Sequence, residues 1–423
     1  MDSRKVVITG LGVITPNGTG VPRFRDSLLK GVSGINKITR FDTSDYPTKI
    51  AGEVKDFSPT DYIEPKIAKR LSRFAQFAFS AAKMALEDAK IKIQNNGWDE
   101  DFSYRVGIVL GTSIGGQEVD EEQYEIFKNK GVNRINPIAS MAINNNMAVG
   151  FIAQEFNIKG PNLTISTGCS SGLNAIACAS DLIRNNKADI VIAGGSEAPI
   201  TPFAFDTFCA AQALTKRNDN PEKASRPFDK YRDGYILSEG SGIVILEDSN
   251  FALKRGASIY AEIAGYAITN DAYSLLKMEP SGKEVSRTIK FALKNAGLSP
   301  ESIDYINAHG SSSVVSDSRE TKAIKDVFGE RAYQIPISSI KSMIGQPLAA
   351  TGAIQVIASV ISMKEGCIPP TINYEYPDPE CDLDYVPNKI RKHKINTVLI
   401  NAFGLGGNNI SLIIKKWNCE TQH

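Results

Sequence analysis

Apolar residues in this chain fall in short continuous runs, separated by longer stretches of helical period. Val6–Thr15 is such a run, closed by a turn at Pro16-Asn17-Gly18, and it reads as a strand. Residues 22–31 carry a helical pattern, whereas residues 32–63 are polar and broken by Pro and Gly, which predicts surface structure. Lys66 to Lys90 reads as one long amphipathic helix, with Phe74, Phe77 and Phe79 among alanines. A buried strand runs from Arg105 into a second glycine turn ending at Gly116, and helices follow at 119–131 and 138–156. The β-prone Asn162–Ser166 leads through a small-residue turn into an Ala-rich helix, then an apolar strand at 187–195. Residues 216–234 are charged and turn-rich, and strand character returns from Tyr235 to Glu247. This alternation predicts an α/β fold.

The second half echoes the first in the same order. Ala261–Asn270 resembles Val6–Thr15, Ile303–Ser312 resembles Val106–Ser113, and Ile337–Gly345 with the helical pattern 348–363 stands where Thr164–Ser180 stands earlier. The shared order predicts an internal duplication with a boundary near residues 250–258. Corresponding turns of the two halves would meet at a pseudo-twofold axis. That would bring together Cys169, the loop 309–313, the turn 341–346 and the Gly-rich loop 401–409.

Composition narrows the picture. A chain of 423 residues exceeds one ordinary core, in keeping with duplication. With 42% hydrophobic and 22% charged residues and a formal charge of +1, it reads as soluble and globular, with no electrostatic case for nucleic acid or membrane binding. No apolar run approaches the ~20 residues of a membrane span, and the N-terminus enters a strand with no signal peptide. The six cysteines, at 169, 178, 209, 367, 381 and 419, form no C-x-x-C pair and no cluster with His at metal spacing. Reduced, cytosolic thiols are expected, and no zinc. The only histidines are His309, His393 and His423.

Two stretches carry candidate chemistry. Ile165-Ser-Thr-Gly-Cys-Ser-Ser-Gly172 sets Cys169 in a turn just before a helix, where free N–H groups and the helix dipole favour a thiolate. Local sequence leaves two roles open for Cys169, an acyl-accepting nucleophile or a small packed thiol. Lys66, Lys69, Arg70 and Arg73 open the long helix and read either as a solvated face or as a basic patch for an acidic partner. The Gly-rich turn after Val6–Thr15 lacks a full G-x-G-x-x-G pattern and is not read as a dinucleotide site.

In combination the motifs resemble those of β-ketoacyl-acyl carrier protein synthases of the elongating type and the related type II polyketide ketosynthases. The resemblance runs from about residue 4 to residue 416. Besides the Cys169 turn it rests on Arg217-Asn-Asp-Asn-Pro221, Ser225-Arg-Pro-Phe-Asp-Lys230, Asn307-Ala-His-Gly310, Ser338-Ser-Ile-Lys-Ser-Met343, Ile368-Pro-Pro-Thr-Ile-Asn373, Cys381-Asp-Leu-Asp384 and the loop 401–409. It implies the thiolase fold, a duplicated α-β-α-β-α layered sandwich, with halves at 1–255 and 256–423. It implies acyl transfer to Cys169, with an oxyanion hole from the backbone N–H groups of Cys169 and Phe403, then decarboxylative condensation with a malonyl thioester. It makes His309 a donor to the enolate, Lys341 the site's lysine, and Asp317 and Glu320 its supporting acids. Ser311 and Ser313 would bind the phosphopantetheine arm. Ile114 and Phe208 would line the acyl pocket, with Phe403 as its gate, and Lys69 and Arg70 would meet the acyl carrier protein. No cofactor is implied, because phosphopantetheine arrives on the carrier. The expected assembly is a homodimer, or else a heterodimer with a second ketosynthase-like chain.

Two positions depart from the family. Its pattern is Lys-Ser-x-x-Gly-His, and this chain has Lys341-Ser-Met-Ile-Gly-Gln346; a Glu of the following helix is replaced by Gln355. Gln346 can still donate an N–H, as Asn does in related Cys-His-Asn condensing enzymes, but it takes no proton near neutral pH. The expectation is a working or slowed condensing site in a specialised polyketide or fatty-acid pathway. Two alternatives are an acyltransferase or malonyl-carrier decarboxylase without condensation, and a non-catalytic partner subunit, against which the intact Cys169 turn speaks.

Overall fold

The computed structural model describes residues 4–91, 98 and 100–418; Cys419 and His423 lie outside the described residues. Ten strands carry the architecture: β1 (Val6–Thr15), β2 (Val106–Gly111), β3 (Asn162–Ile165), β4 (Ile190–Glu197), β5 (Gly240–Asp248), β6 (Ala261–Asn270), β7 (Tyr305–Asn307), β8 (Ile337–Ser338), β9 (Thr397–Gly404) and β10 (Asn408–Lys416). They lie in one sheet in the order β8-β7-β9-β10-β6-β1-β5-β4-β2-β3. From the centre outward one half reads β1, β5, β4, β2, β3 and the other β6, β10, β9, β7, β8, which is the same order. Pairing directions repeat as well. β2 runs parallel to β3 and β4, and β5 antiparallel to β4 and β1; β7 runs parallel to β8 and β9, and β10 antiparallel to β9 and β6. The halves join where β1 and β6 pair antiparallel, with Val7 opposite Glu262 and Ile8 opposite Ala261.

Continuous apolar runs form these central strands because both faces are covered. β1, β4 and β5 are buried along their whole length. Helices α1 (Arg73–Asp88) and α3 (Lys283–Ala296) cover the outer faces of the two halves. In α3, Val285, Ile289, Ala292 and Leu293 recur at helical spacing and are buried, and the helix stops at Gly297 in the left-handed region. Helices α2 (Ser171–Arg184) and α5 (Thr351–Glu365) pack together in the middle layer, in one apolar core with strands of both halves. Every residue of α5 from Thr351 to Ser362 is buried, as a helix enclosed on all sides requires. Helix α4 (Val314–Phe328) joins α3 on the outer face of the second half. The result is the duplicated layered sandwich that the sequence leads one to expect.

Three expected elements differ in extent. The helix foreseen over 66–90 is broken: a short turn at Pro65–Ala68 precedes α1, and Ser72 at the break is extended, with ψ 158°. Arg73 turns inward there, its Nε and Nη2 donating to buried Glu239 at 2.8 and 2.7 Å, so it is not part of a surface patch with Lys69 and Arg70. The pattern over 138–156 splits into Ala139–Ile143 and Met147–Glu155. The run Asn144-Asn145-Asn146 separates them, with Asn144 extended, because Asn side chains compete for backbone hydrogen bonds. Residues 235–239 are not ladder strand but form single bridges, among them Leu237 to Gln346. Cys169, Cys178, Cys209, Cys367 and Cys381 are free thiols. Among the described residues there is no His/Cys/Asp/Glu group able to hold a metal ion, and no helix is long and apolar enough to cross a membrane.

Candidate active site

β3 delivers the chain into the turn Thr167–Ser170, which α2 continues. Gly168 stands at φ +64°, a conformation that suits glycine. Side chains of α2's first turn hold the bend. Ser171 Oγ accepts the Thr167 N–H at 2.8 Å and donates to Gly168 O at 2.6 Å. Ser170 Oγ donates to Thr167 O at 2.8 Å, and Asn174 Nδ2 donates to Thr167 Oγ1 at 2.7 Å. Cys169 therefore stands just ahead of the helix, partly accessible, and packs against an apolar group that includes Ile200, Phe205 and Leu348, which Phe208 and Tyr235 also border.

The end of β9 lies against this turn. A Cβ on Gly404 would meet Thr167 O at 2.6 Å and Cys169 N at 3.2 Å, so only glycine allows the approach. The preceding residue, Phe403, donates its backbone N–H to His309 Nδ1 at 3.2 Å. That contact differs from the expectation that this N–H faces a substrate oxygen. It also fixes the imidazole: with Nδ1 accepting, the proton sits on Nε2. Burial, and then the charge of Lys341, hold His309 well below its usual pKa, so the ring is neutral.

The His309 loop is set by carboxylates three residues apart on α4, hence on one helix face. Glu320 accepts the N–H groups of His309 and Gly310, each at 2.8 Å, and Asn401 Nδ2 at 3.1 Å. Asp317 accepts the N–H of Ser311 at 2.9 Å and of Phe228 at 2.8 Å. Burial pushes Asp317 up to about 6, opposed chiefly by Arg232, and raises Glu320 as well. Lys341 is buried, donates its Nζ to His309 O, and is pulled below its usual pKa by that burial.

Gln346 is also buried, and its backbone is anchored on both sides: its N–H donates to Ile236 O at 2.7 Å, and its carbonyl accepts from Ser238 N–H at 3.1 Å. Its side-chain oxygen accepts from Thr351 Oγ1 at 3.1 Å, and its side chain lies near enough to the Cys169 thiol to favour the thiolate. Gln355 does not join it; Gln355 Nε2 donates to Ala308 O at 2.8 Å and to Asn401 O at 3.2 Å, tying β7's end to β9.

The electrostatics of Cys169 depart from the sequence expectation of an acidic thiol. Burial pushes it up to about 11; the Gln346 side chain and the Lys341 charge oppose this, and the Glu197 charge adds to it. Enclosure outweighs the helix terminus.

The fold thus gathers Cys169, His309, Lys341, Gln346, Asp317, Glu320 and Phe403 into one cluster, with Phe208 in the apolar wall. Ser311 is buried and Ser313 half-buried at the start of α4. Ile114 is half-buried and stands outside the Phe208 group; its N–H donates to Glu197 at 3.2 Å. Lys69 and Arg70 are exposed. Sequence reasoning missed Glu197, Thr351, Tyr235 and Asn401. Glu197 is fully buried and also accepts the Thr112 hydroxyl at 3.0 Å and the N–H groups of Ser113 and Gly115 at 2.7 and 3.3 Å. A carboxylate closing an apolar Gly-Gly strand was its one visible signal. Thr351 had none.

Two family models match the chain: "Beta-ketoacyl synthase, N-terminal domain" over residues 3–252 and "Beta-ketoacyl synthase, C-terminal domain" over residues 260–375. The 3-oxoacyl-[acyl-carrier-protein] synthase 2 of Synechocystis sp. is 46% identical over 417 residues, covering 99% of each chain. That of Coxiella burnetii is 44% identical over 416 residues, 98% of this chain and 99% of the other. Among solved structures, a type II PKS acyl-carrier protein in complex with its ketosynthase bound to the hexaketide matches with TM-score 0.91 and 36% identity, over 98% of this chain and 100% of that one. The ishigamide ketosynthase/chain length factor matches with TM-score 0.91 and 35% identity, again over 98% and 100%.

Proposed function

The chain belongs to the β-ketoacyl synthase family, and we propose that it is a condensing enzyme in which a Cys169-His309-Gln346 site joins an acyl group to a malonyl-derived unit. The observation that carries this reading is the buried Gln346 side chain, whose oxygen is held by Thr351 at 3.1 Å so that its amide nitrogen is left for the Cys169 side. The position where the family has His thus still offers a donor at the nucleophile.

In the first half-reaction the Cys169 sulfur attacks the carrier thioester. A Cys169 thioester forms, the carrier C–S bond breaks, and the departing phosphopantetheine sulfur takes the thiol proton. Nearby backbone N–H groups, of Cys169 and of Phe403, whose N–H is shared with His309 Nδ1, stabilise the oxyanion; such donors contribute about 10²–10³ in rate each. In the second half-reaction malonyl-carrier protein loses CO2. The enolate oxygen takes hydrogen bonds from His309 Nε2–H and Gln346 Nε2–H, both neutral donors. The enolate carbon attacks the acyl-Cys169 carbonyl, and the thiolate leaves and is reprotonated from solvent. Lys341 holds the His309 carbonyl and adds positive charge. Phosphopantetheine enters past Ser311 and Ser313, the acyl chain lies toward Phe208 and Ile114, and Phe403 gates the path.

The partner is an acyl carrier protein met at Lys69 and Arg70, and no resident cofactor is needed. Loss of the second His favours a specialised polyketide or fatty-acid pathway in the cytosol. The halves 1–255 and 256–423 form one subunit of a dimer. β3 is an open sheet edge, and Tyr124, Phe127, Val132, Met141 and Phe203 are exposed, which supports a homodimer through that side. Likeness to a ketosynthase/chain length factor structure supports a heterodimer as the second reading; native mass measurement separates the two.

The test is intact-mass analysis with acyl- and then malonyl-carrier protein, beside Cys169→Ala and Gln346→His. An adduct on Cys169 that disappears on malonyl addition, with a β-ketoacyl product, is expected. An adduct that persists, with condensation only in Gln346→His, would make the natural protein an acyl-transfer or partner subunit.

A further inference from the structure

We propose that Thr351 is a positioning residue for Gln346: its hydroxyl clamps the carboxamide oxygen, so that the amide nitrogen stays turned toward Cys169 and the place of the substrate's thioester oxygen. This rests on the condensing-enzyme reading above.

The need for a clamp follows from the chemistry of the side chain. The backbone bonds to Ile236 and Ser238 fix where the Gln346 side chain starts. They leave the last torsion free, and that torsion is broad and roughly two-fold. One orientation presents N–H to the reacting sulfur and enolate, and the other presents a carbonyl oxygen, an acceptor facing developing negative charge. Only the first is a donor. Selecting it requires something to hold the oxygen on the far side.

Thr351 meets that requirement. It is fully buried, and Gln346 is 2% exposed, so neither group has water to compete. Its Oγ1 lies 3.1 Å from Gln346 Oε1. Thr351 opens α5, and the residues around it, Leu348-Ala-Ala350 and Gly352-Ala-Ile354, have no polar side chain. A hydroxyl in that setting costs stability unless bonded, and its bond here is to Gln346. The path between the two residues is short and bent: Pro347, then Leu348 at φ +36°, then a single 3-10 turn. This bend brings the first residue of α5 back to Gln346. Gln346 and Thr351 form a pair in which the second residue makes the first a directed donor.

The experiment compares Thr351→Val, which keeps shape and loses the donor, with Thr351→Ser, which keeps the donor. Thr351→Ala serves as a second deletion should Val not pack, and each is made in the wild-type and Gln346→His backgrounds. The readouts are CO2 release from malonyl-carrier protein, the Cys169 acyl adduct by intact mass, the pH profile of Cys169 alkylation by iodoacetamide, and the melting temperature. Expected results are a folded Thr351→Val that still acylates Cys169 but releases CO2 about three- to tenfold more slowly, with Thr351→Ser restoring the rate. In the Gln346→His background the Val change should have no such effect. The alkylation profile of Thr351→Val should move to higher pH, because an amide oxygen turned to the thiol no longer favours the thiolate. Wild-type CO2 release and an unmoved alkylation profile in both deletion variants, or equal slowing in both backgrounds, would overturn the clamp. A wild-type protein that never acylates Cys169 would overturn the condensing reading instead, while the alkylation profile still reports on the clamp.

Discussion

The backbone N–H of Phe403 donates to Nδ1 of His309 at 3.2 Å. A strand end that was expected to serve the substrate thus sets the tautomer of the residue across the site. The imidazole is a neutral Nε2–H donor before substrate arrives, and burial together with Lys341 keeps it so.

His309→Ala should lower malonyl decarboxylation by about 10²–10³ and slow acylation of Cys169 less, because the enolate donor is lost while the nucleophile remains. In the wild type, decarboxylation should show no limb near pH 6.5, since the folded-state pKa lies well below that value. A limb near 6.5 that vanishes in His309→Ala would contradict the neutral-donor assignment.

Burial raises the Cys169 thiol to about 11 and Lys341 opposes this. Alkylation of the free enzyme by iodoacetamide should therefore be slow at neutral pH and climb toward pH 11. Lys341→Met removes the opposing charge and raises the thiol further, so alkylation at pH 8 should fall by about tenfold for each unit gained. Faster alkylation in this variant would refute the sign.

Much of the architecture was legible because the strands are continuous apolar runs and the duplication repeats them in order. The candidate cluster was legible as residue types in motifs. What the sequence could not reveal was direction. Lys69, Arg70 and Arg73 look alike along the chain, yet Arg73 alone meets a buried carboxylate, Glu239, from a segment 166 positions away. Cys169 before a helix looks activated, yet the enclosure raising its pKa comes from elements distant in sequence. Thr351 is one hydroxyl in a small-residue helix, and its partner became evident only once the turn at Pro347–Ala350 was traced.

The Arg73–Glu239 pair is two-pronged, and Arg40 Nη1 adds a third contact to Glu239 at 3.0 Å. Glu239→Ala should destabilise the protein by about 3–5 kcal/mol, because it leaves Arg73 largely buried without its counter-charge. Chemical denaturation would measure this, and a loss below about 1 kcal/mol would show that the pair does not hold α1 to the sheet.

If Lys69 and Arg70 meet the carrier, Lys69→Glu with Arg70→Glu should raise KM for acyl-carrier protein, with kcat nearly unchanged. The salt dependence of the wild-type rate should flatten in the variant. Equal KM and an unchanged salt slope would place the docking surface elsewhere.

Glu197 gives a prediction on stability. Its carboxyl is fully buried, and desolvation raises it from 4.5 to about 7 against the hydrogen bonds it accepts. Because the folded-state value is the higher one, the folded protein binds more protons than the unfolded chain between pH 4.5 and 7. The resulting stabilisation is full below the unfolded value and is lost as pH rises through about 7; a rise of this size corresponds to roughly 3 kcal/mol. Asp317 and Glu320 act in the same sense, so the wild-type curve alone does not isolate Glu197. The difference between wild type and Glu197→Gln does, because glutamine does not titrate. That difference should drift in favour of the variant as pH rises from 4.5 to 8, measured by chemical denaturation at each pH. The variant's Cys169 should also alkylate faster at pH 8, since the negative charge that pushes the thiol upward is gone. Parallel stability curves would mean that Glu197 stays ionised throughout and that its donors outweigh its burial.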